Sequence, residues 1–155
     1  MRARGAAAVF ALGVGVAALG VACQTVALGT PPADINACRP SQSYFVSNVW
    51  PGVLAKDYGG THCYQSNCHD TIGKGRLALI ANPQPMLDPT VPPPQPLPDD
   101  WQKNYRSATE VMNCSDVTAS KLILYPTAQT SHGGGKLFDP SSPEATTIEM
   151  WVTAP

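Results

Sequence analysis

The sequence is short of charge. Asp, Glu, Lys and Arg make up 14% of its 155 residues, against roughly 25% in an average soluble protein. Ten basic residues face eleven acidic ones, for a net charge of −1, and no block of like charges occurs. Nucleic-acid partners need a clustered basic face, so that class is excluded. A polybasic membrane-binding patch is excluded for the same reason. Two common hydrolase signatures, Gly-x-Ser-x-Gly and His-Glu-x-x-His, are missing. No internal repeat is present. Only three histidines exist, so any imidazole chemistry must use His62, His69 or His132. Proline, at 16, glycine, at 13, and cysteine, at 5, are plentiful. Low charge with this much proline implies long ordered loops around one modest domain rather than a helix-rich bundle.

The N-terminus addresses the compartment. Met1-Arg2-Ala3-Arg4 is basic, and residues 5–22 are an unbroken run of Ala, Val, Leu, Gly and Phe. These are the n-region and h-region of an export signal; a single transmembrane anchor is the competing reading. The run ends Leu19-Gly20-Val21-Ala22-Cys23. This ending resembles a bacterial lipobox, with Gly20 where leucine is usual and Leu19 displaced by one. The resemblance implies that 1–22 is a signal peptide and that Cys23 carries lipid, which anchors the chain stably when several acyl chains are attached. Loss of 1–22 removes two arginines and leaves eight basic residues against eleven acidic, a charge of −3. Residues 23–40, with Gly-Thr-Pro-Pro and little apolar pattern, read as a lipid-anchored tether.

The remaining chain, 41–155, reads as one domain. Ser43 is the expected cap of a first helix, about 43–57. Phe45, Val49 and Val53 form its buried stripe, and Pro51 starts, kinks or ends part of it. The segment 83–98 has eight prolines in sixteen residues, reads as an extended surface excursion, and cannot be a helix or a central strand. Short helices are expected over 104–112 and 115–125, with a glycine-rich loop at 131–135. The last helix, 143–153, has Ser142 as N-cap, Pro143 at its first position and Glu144 in its first turn. Ile148, Trp151 and Val152 form its apolar face. The first helix is expected to pack on the last through Phe45, Val49 and Leu54 against Ile148, Trp151 and Val152.

The chemistry concentrates in His62-Cys63-Tyr64-Gln65-Ser66-Asn67-Cys68-His69. Two cysteines followed at once by histidine is an arrangement that attaches c-type haem. Two thiols on one short loop form thioethers with the two vinyl groups, and the next imidazole, His69, then lies under the iron as its proximal ligand. The cysteines are separated by four residues here, where two is usual. The wider spacing also occurs in some multihaem low-potential cytochromes.

The order of motifs around this loop is similar to a family of bacterial exported cytochrome c-like domains. The matching pieces are Tyr44-Phe45…Val49-Trp50-Pro51, Cys63…Cys68-His69, Ser120-Lys121-Leu122 with Pro126, His132-Gly133-Gly134-Gly135 and the closing Trp151. The resemblance covers about residues 41–153. It implies a mostly α, small cytochrome c-like domain with long irregular Pro- and Gly-rich loops. It implies one covalent haem c, with His132 in the region of the distal iron ligand and its glycines letting backbone pass close to a flat cofactor. Met86, Met112 and Met150 are the other distal candidates; Met86 and Met150 read as ordinary packing. His62 reads as a solvated neighbour, and Trp50, Trp101 and Trp151 as core or haem-edge packing.

Cysteine parity is compatible with this. With Cys23 lipidated and Cys63 and Cys68 on haem, Cys38 and Cys114 remain for one disulfide. Without haem, the four cysteines after Cys23 allow three pairings. A zinc site from Cys63, Cys68, His69 and His132 is chemically possible but is not a common zinc knuckle. The expected function is single-electron transfer by a membrane-anchored, periplasmic or outer-membrane-associated lipoprotein. It would be a carrier and not an enzyme, with a redox protein partner and no small-molecule substrate. The alternatives are a disulfide-stapled surface lipoprotein with a binding or structural role and no haem, and a haem or metal sensor.

Overall fold

The structure, a computed structural model, describes residues 39–71 and 76–154. These belong to one compact unit, Pro31–Pro155. The export signal, Cys23 and most of the tether lie outside the described residues. Among the described residues the regular elements are all helical and no strand occurs. The chain is mostly α with long irregular connections.

Helix α1 begins as an α-turn over Gln42–Tyr44 and continues as a π-helix over Phe45–Leu54. Its cap is Ser41 rather than Ser43: the Ser41 Oγ accepts from the Tyr44 N–H. Pro51 neither ends nor starts the helix. An ordinary α-helix would press the Pro51 ring against the carbonyl four residues back. The wider i→i+5 winding avoids that clash, and Ala55 N–H bonds the Trp50 carbonyl at 2.7 Å. Phe45, Val49 and Val53 form one buried row, and Val46, Trp50 and Leu54 form a second beside it.

Helix α2 spans Asp99–Thr109, further N-terminal than the expected 104–112. Asp99 and Asp100 sit at its positive end and Arg106 at its negative end, matching the helix dipole. The expected helix over 115–125 is broken. A 3₁₀ turn covers Val117–Ala119, and helix α3 is only Lys121–Leu124. The break is at buried Ser120, whose side chain accepts from Asn113 N–H at 2.8 Å instead of pointing to solvent. Helix α4, Pro143–Thr153, starts as expected, with Ser142 Oγ accepting from Ala145 N–H.

Helices α1 and α4 pack together. Phe45 and Trp151 lie 5.4 Å apart between ring centroids, and Tyr105 of α2 meets both edge-on. Ala145, Ile148 and Trp151 are buried while Val152 is only half-buried, so the contact face sits slightly N-terminal of the expected one. The three tryptophans are core residues. Each indole N–H that would otherwise be stranded finds a carbonyl: Trp151 bonds Ser41 at 2.9 Å, and Trp101 bonds Pro85 at 2.8 Å. Across the pair, Lys56 forms a salt bridge with the buried Glu144. The lysine holds the Glu144 carboxyl below its usual range, against the opposing effect of burial.

The proline-rich stretch contains no regular element, as expected. It is not wholly a surface excursion, because Pro83, Pro93 and Leu97 are buried and Pro85 caps the Trp101 indole. Met86 and Met150, expected to be packed, are instead 70% and 51% exposed.

Candidate functional site

Two irregular segments face each other across a cleft of about 630 Å³. One carries His62, Cys63, Cys68 and His69; the other carries His132, Gly133 and Gly134. Val53 and Leu54 of α1, Leu77, Leu122 of α3, Leu137 and Phe138 supply apolar lining. The volume falls in the range of cofactor sites, about 300–1,000 Å³.

The first segment is a chain of turns. Gln65 N–H bonds the His62 carbonyl, Cys68 N–H bonds the Gln65 carbonyl, and His69 N–H closes back on Cys63 at 3.1 Å. Asn67 takes a left-handed φ of 70°, a conformation that asparagine tolerates better than most residues. Gln65 and Ser66 are exposed at the turn, Tyr64 packs back on Trp50, and Asn67 and both cysteines stay on the cleft. Both are free thiols. Cys63 is buried, which pushes its pKa up to about 11, with Cys68 adding to the rise. It therefore remains a neutral thiol near neutral pH. Tyr58, whose hydroxyl donates to the Val53 carbonyl at 3.0 Å, is also pushed upward, mainly by burial.

His69 is held from helix α2 through an intermediate strand of backbone. The buried Asn104 side chain accepts from Ile80 N–H at 2.7 Å and donates to the Ile80 carbonyl at 3.0 Å. Ser107 Oγ accepts from Ala78 N–H. The segment 76–80, pinned in this way, sends Leu79 N–H to the His69 carbonyl at 2.7 Å and offers the Leu77 carbonyl to His69 Nδ1 at 3.1 Å. A carbonyl can only accept, so Nδ1 carries the proton and Nε2 keeps its lone pair. Burial lowers the His69 pKa below its usual value, with His132 adding a smaller effect in the same direction. The imidazole is thereby kept neutral, the state in which it binds a metal.

His132 is fixed by its own glycines. Gly135 N–H bonds the His132 carbonyl at 3.0 Å, with Gly135 in the left-handed region at φ 68°. The turn brings the Gly135 carbonyl to 3.1 Å from His132 Nδ1. Gly134 lets the ring fold over: a Cβ there would stand 3.1 Å from His132 Cε1. Leu137 N–H bonds the Pro126 carbonyl at 2.7 Å and closes the base of the loop. His132 is half-buried and likewise presents Nε2.

The His69 and His132 rings are nearly parallel, at 11°, with centroids 6.1 Å apart. Tyr125 lies against His132 at the same spacing, 6.1 Å between centroids with planes 6° apart, so three rings run parallel here. Both imidazoles line the cleft with Nδ1 tied to a carbonyl and Nε2 left as the donor nitrogen, the type of ligand a haem iron would take. Each imidazole has the backbone carbonyl partner that metal-bound histidines commonly have on their other nitrogen. A bare ion is less well served. Among the described residues no group of three or more His, Cys, Asp and Glu is arranged to hold a metal, so the four-residue zinc site is not assembled.

The other candidates fall elsewhere. Met86, Met112 and Met150 do not line the cleft. His62 lines it, half-buried, with its ring parallel to Tyr64 and its Nδ1 3.2 Å from the Lys56 carbonyl. It is more integrated than a solvated neighbour. Cys114 is disulfide-bonded, and its expected partner, Cys38, lies outside the described residues. Sequence reasoning missed the carbonyls of Leu77 and Gly135, which orient the two imidazoles, since backbone groups leave no residue-type signal. It also missed Arg76 and Phe138 on the lining, and gave no site role to Lys121 and Tyr125 although they lie in the Ser120–Pro126 motif. No protein-family model, no curated protein and no solved structure matches this chain.

Proposed function

We propose that the protein is an electron carrier that holds one covalent c-type haem in this cleft, within a small cytochrome c-like domain. The observation that carries the reading is that Cys63, Cys68, His69 and His132 line one cleft, with both cysteines free thiols and both imidazoles tied through Nδ1 to a backbone carbonyl. Cys63 and Cys68 would hold the group through thioethers, and His69 and His132 would supply Nε2 to the iron. Bound there, haem supplies a one-electron couple between ferric and ferrous iron. Two imidazoles leave no coordination position open for a small ligand and favour the ferric state relative to a His/Met pair. The backbone bonds of Leu77 and Gly135 hold both rings in place, so little rearrangement accompanies a change of charge. Val53, Leu54, Leu77, Leu122, Leu137 and Phe138 keep water from the faces. Residues 1–23 extend the proposal to an exported lipoprotein facing a redox protein partner.

Production in a host that attaches c-type haem tests this. The purified protein should be red, with a Soret band, a haem mass increment and a six-coordinate low-spin spectrum. His132→Ala should keep the mass increment, turn towards five-coordinate high-spin and gain affinity for carbon monoxide. Colourless, fully exported protein with Cys63 and Cys68 joined in a disulfide would overturn the reading and leave a stapled binding or structural lipoprotein.

A further inference from the structure

We infer that Arg76 and Lys121, both on the lining of the cleft, take the two propionate carboxylates of the porphyrin, an inference that rests on the haem reading above. Among the described residues lining the cleft, these two are the only Lys or Arg, and there is no Asp or Glu. This runs against the composition of the whole chain, where acids outnumber bases.

The two cations are presented in the same way. In Arg76-Leu77 and Lys121-Leu122, a buried leucine turns into the cleft lining and the preceding cation is exposed beside it. Each backbone is pinned: the Arg76 carbonyl accepts from Ser107 Oγ at 3.4 Å, and Lys121 N–H bonds the Val111 carbonyl at 3.1 Å. Neither cation forms a salt bridge with a described carboxylate, whereas Lys56, Lys103 and Lys136 each have one. A cleft with an apolar body and two uncommitted cations suits a flat apolar ligand with two carboxylates. Fatty acids carry one anion, and nucleotides lack the apolar area.

The test uses the full-length apoprotein and two probes, ferric protoporphyrin IX and its dimethyl ester, titrated by the Soret band. Two exposed ion pairs should favour the diacid by roughly threefold to thirtyfold, and the preference should shrink as salt rises. Arg76→Gln with Lys121→Gln should abolish the preference while leaving diester affinity unchanged, which shows an intact cleft. Arg76→Lys should retain most of it. Lys103→Gln with Arg106→Gln on α2, an equal change of charge away from the cleft, should leave it intact. If both probes bind the wild type equally with a bis-imidazole spectrum, the Arg76/Lys121 assignment is wrong and the haem reading survives. An equal loss of preference in the α2 control reduces the effect to general charge and also overturns the assignment. If neither probe gives a bis-imidazole spectrum, the haem reading fails and takes this inference with it.

Discussion

Gly134 allows the His132 side of the cleft to be perturbed without disturbing the fold. An alanine there puts Cβ 3.1 Å from His132 Cε1, 3.5 Å from Nδ1 and 3.7 Å from Nε2. Carbon atoms in good contact sit about 3.5–4.0 Å apart, so the ring must retreat by a few tenths of an ångström. Forcing the side chain off its rotamer costs about 0.5–1.5 kcal/mol. Gly134 does not have the left-handed φ of its neighbour Gly135, so the new residue also restricts the unfolded chain and returns about 0.4–1 kcal/mol. The two effects nearly cancel. Gly134→Ala should therefore leave the urea midpoint of the protein almost unchanged while displacing His132. In the haem-loaded protein this should appear as a high-spin component and a gain in carbon monoxide affinity. Gly135→Ala should do the opposite. Its methyl meets nothing within 4 Å, but φ 68° is strained for alanine, at about 1–2 kcal/mol, so stability falls. Gly133→Ala, with nothing within 4 Å and no left-handed φ, is the neutral control for the urea midpoint alone, since Gly133 lines the cleft. A Gly134→Ala protein with an unaltered low-spin spectrum and unaltered carbon monoxide affinity would refute the argument that this glycine makes room for the imidazole.

Trp151→Ala should cost about 3–5 kcal/mol in chemical denaturation, because the side chain is fully buried between Phe45 and Tyr105; a loss below 1 kcal/mol would contradict the α1–α4 packing. The Lys56–Glu144 pair should give an acid limb. Because the Glu144 carboxyl is depressed in the folded state, its stabilisation is complete above its ordinary value of 4.5 and is lost as pH falls through the lower folded value. Glu144→Gln should flatten the urea midpoint over that range, and an undiminished slope would place the effect in other carboxylates. Cys23→Ser is expected to release the exported protein from membranes and end acyl-chain labelling. A variant still bound with residues 1–22 attached would point to a transmembrane anchor.

The ends of the domain were legible because they follow local rules. Ser142-Pro143-Glu144 is a start signal in three consecutive residues, and the spacing of Phe45, Val49 and Val53 already marks one face of α1. The π-winding was not legible, because Pro51 announces a conflict without saying how it is relieved. The break in the expected helix over 115–125 was not legible either, because the bond from Asn113 N–H to the buried Ser120 side chain leaves no local pattern. The proline tract hid its buried members, Pro83, Pro93 and Leu97, and its ties to α2 through Gln84 and Pro85. In the candidate site, Cys63, Cys68, His69 and His132 could be chosen by type and spacing. Their meeting across one cleft depends on the base of the 131–135 loop and on Asn104, long-range bonds that no local pattern encodes.

The first described residues are tied down at two points. The Pro40 carbonyl accepts from the buried Tyr105 hydroxyl at 2.6 Å, and the Ser41 carbonyl accepts from the Trp151 indole. Tyr105 and Trp151 belong to the aromatic core, and neither lines the cleft. A mechanical load arriving along the chain from the N-terminal side would thus be taken up by two side chains in α2 and α4 before reaching α1. His132 hangs from a separate support, the Gly135 turn, whereas the segment that carries Leu77 is pinned by Asn104 and Ser107 of the same α2. A pull at the point of entry would thus reach His69 through α2 before it reached His132.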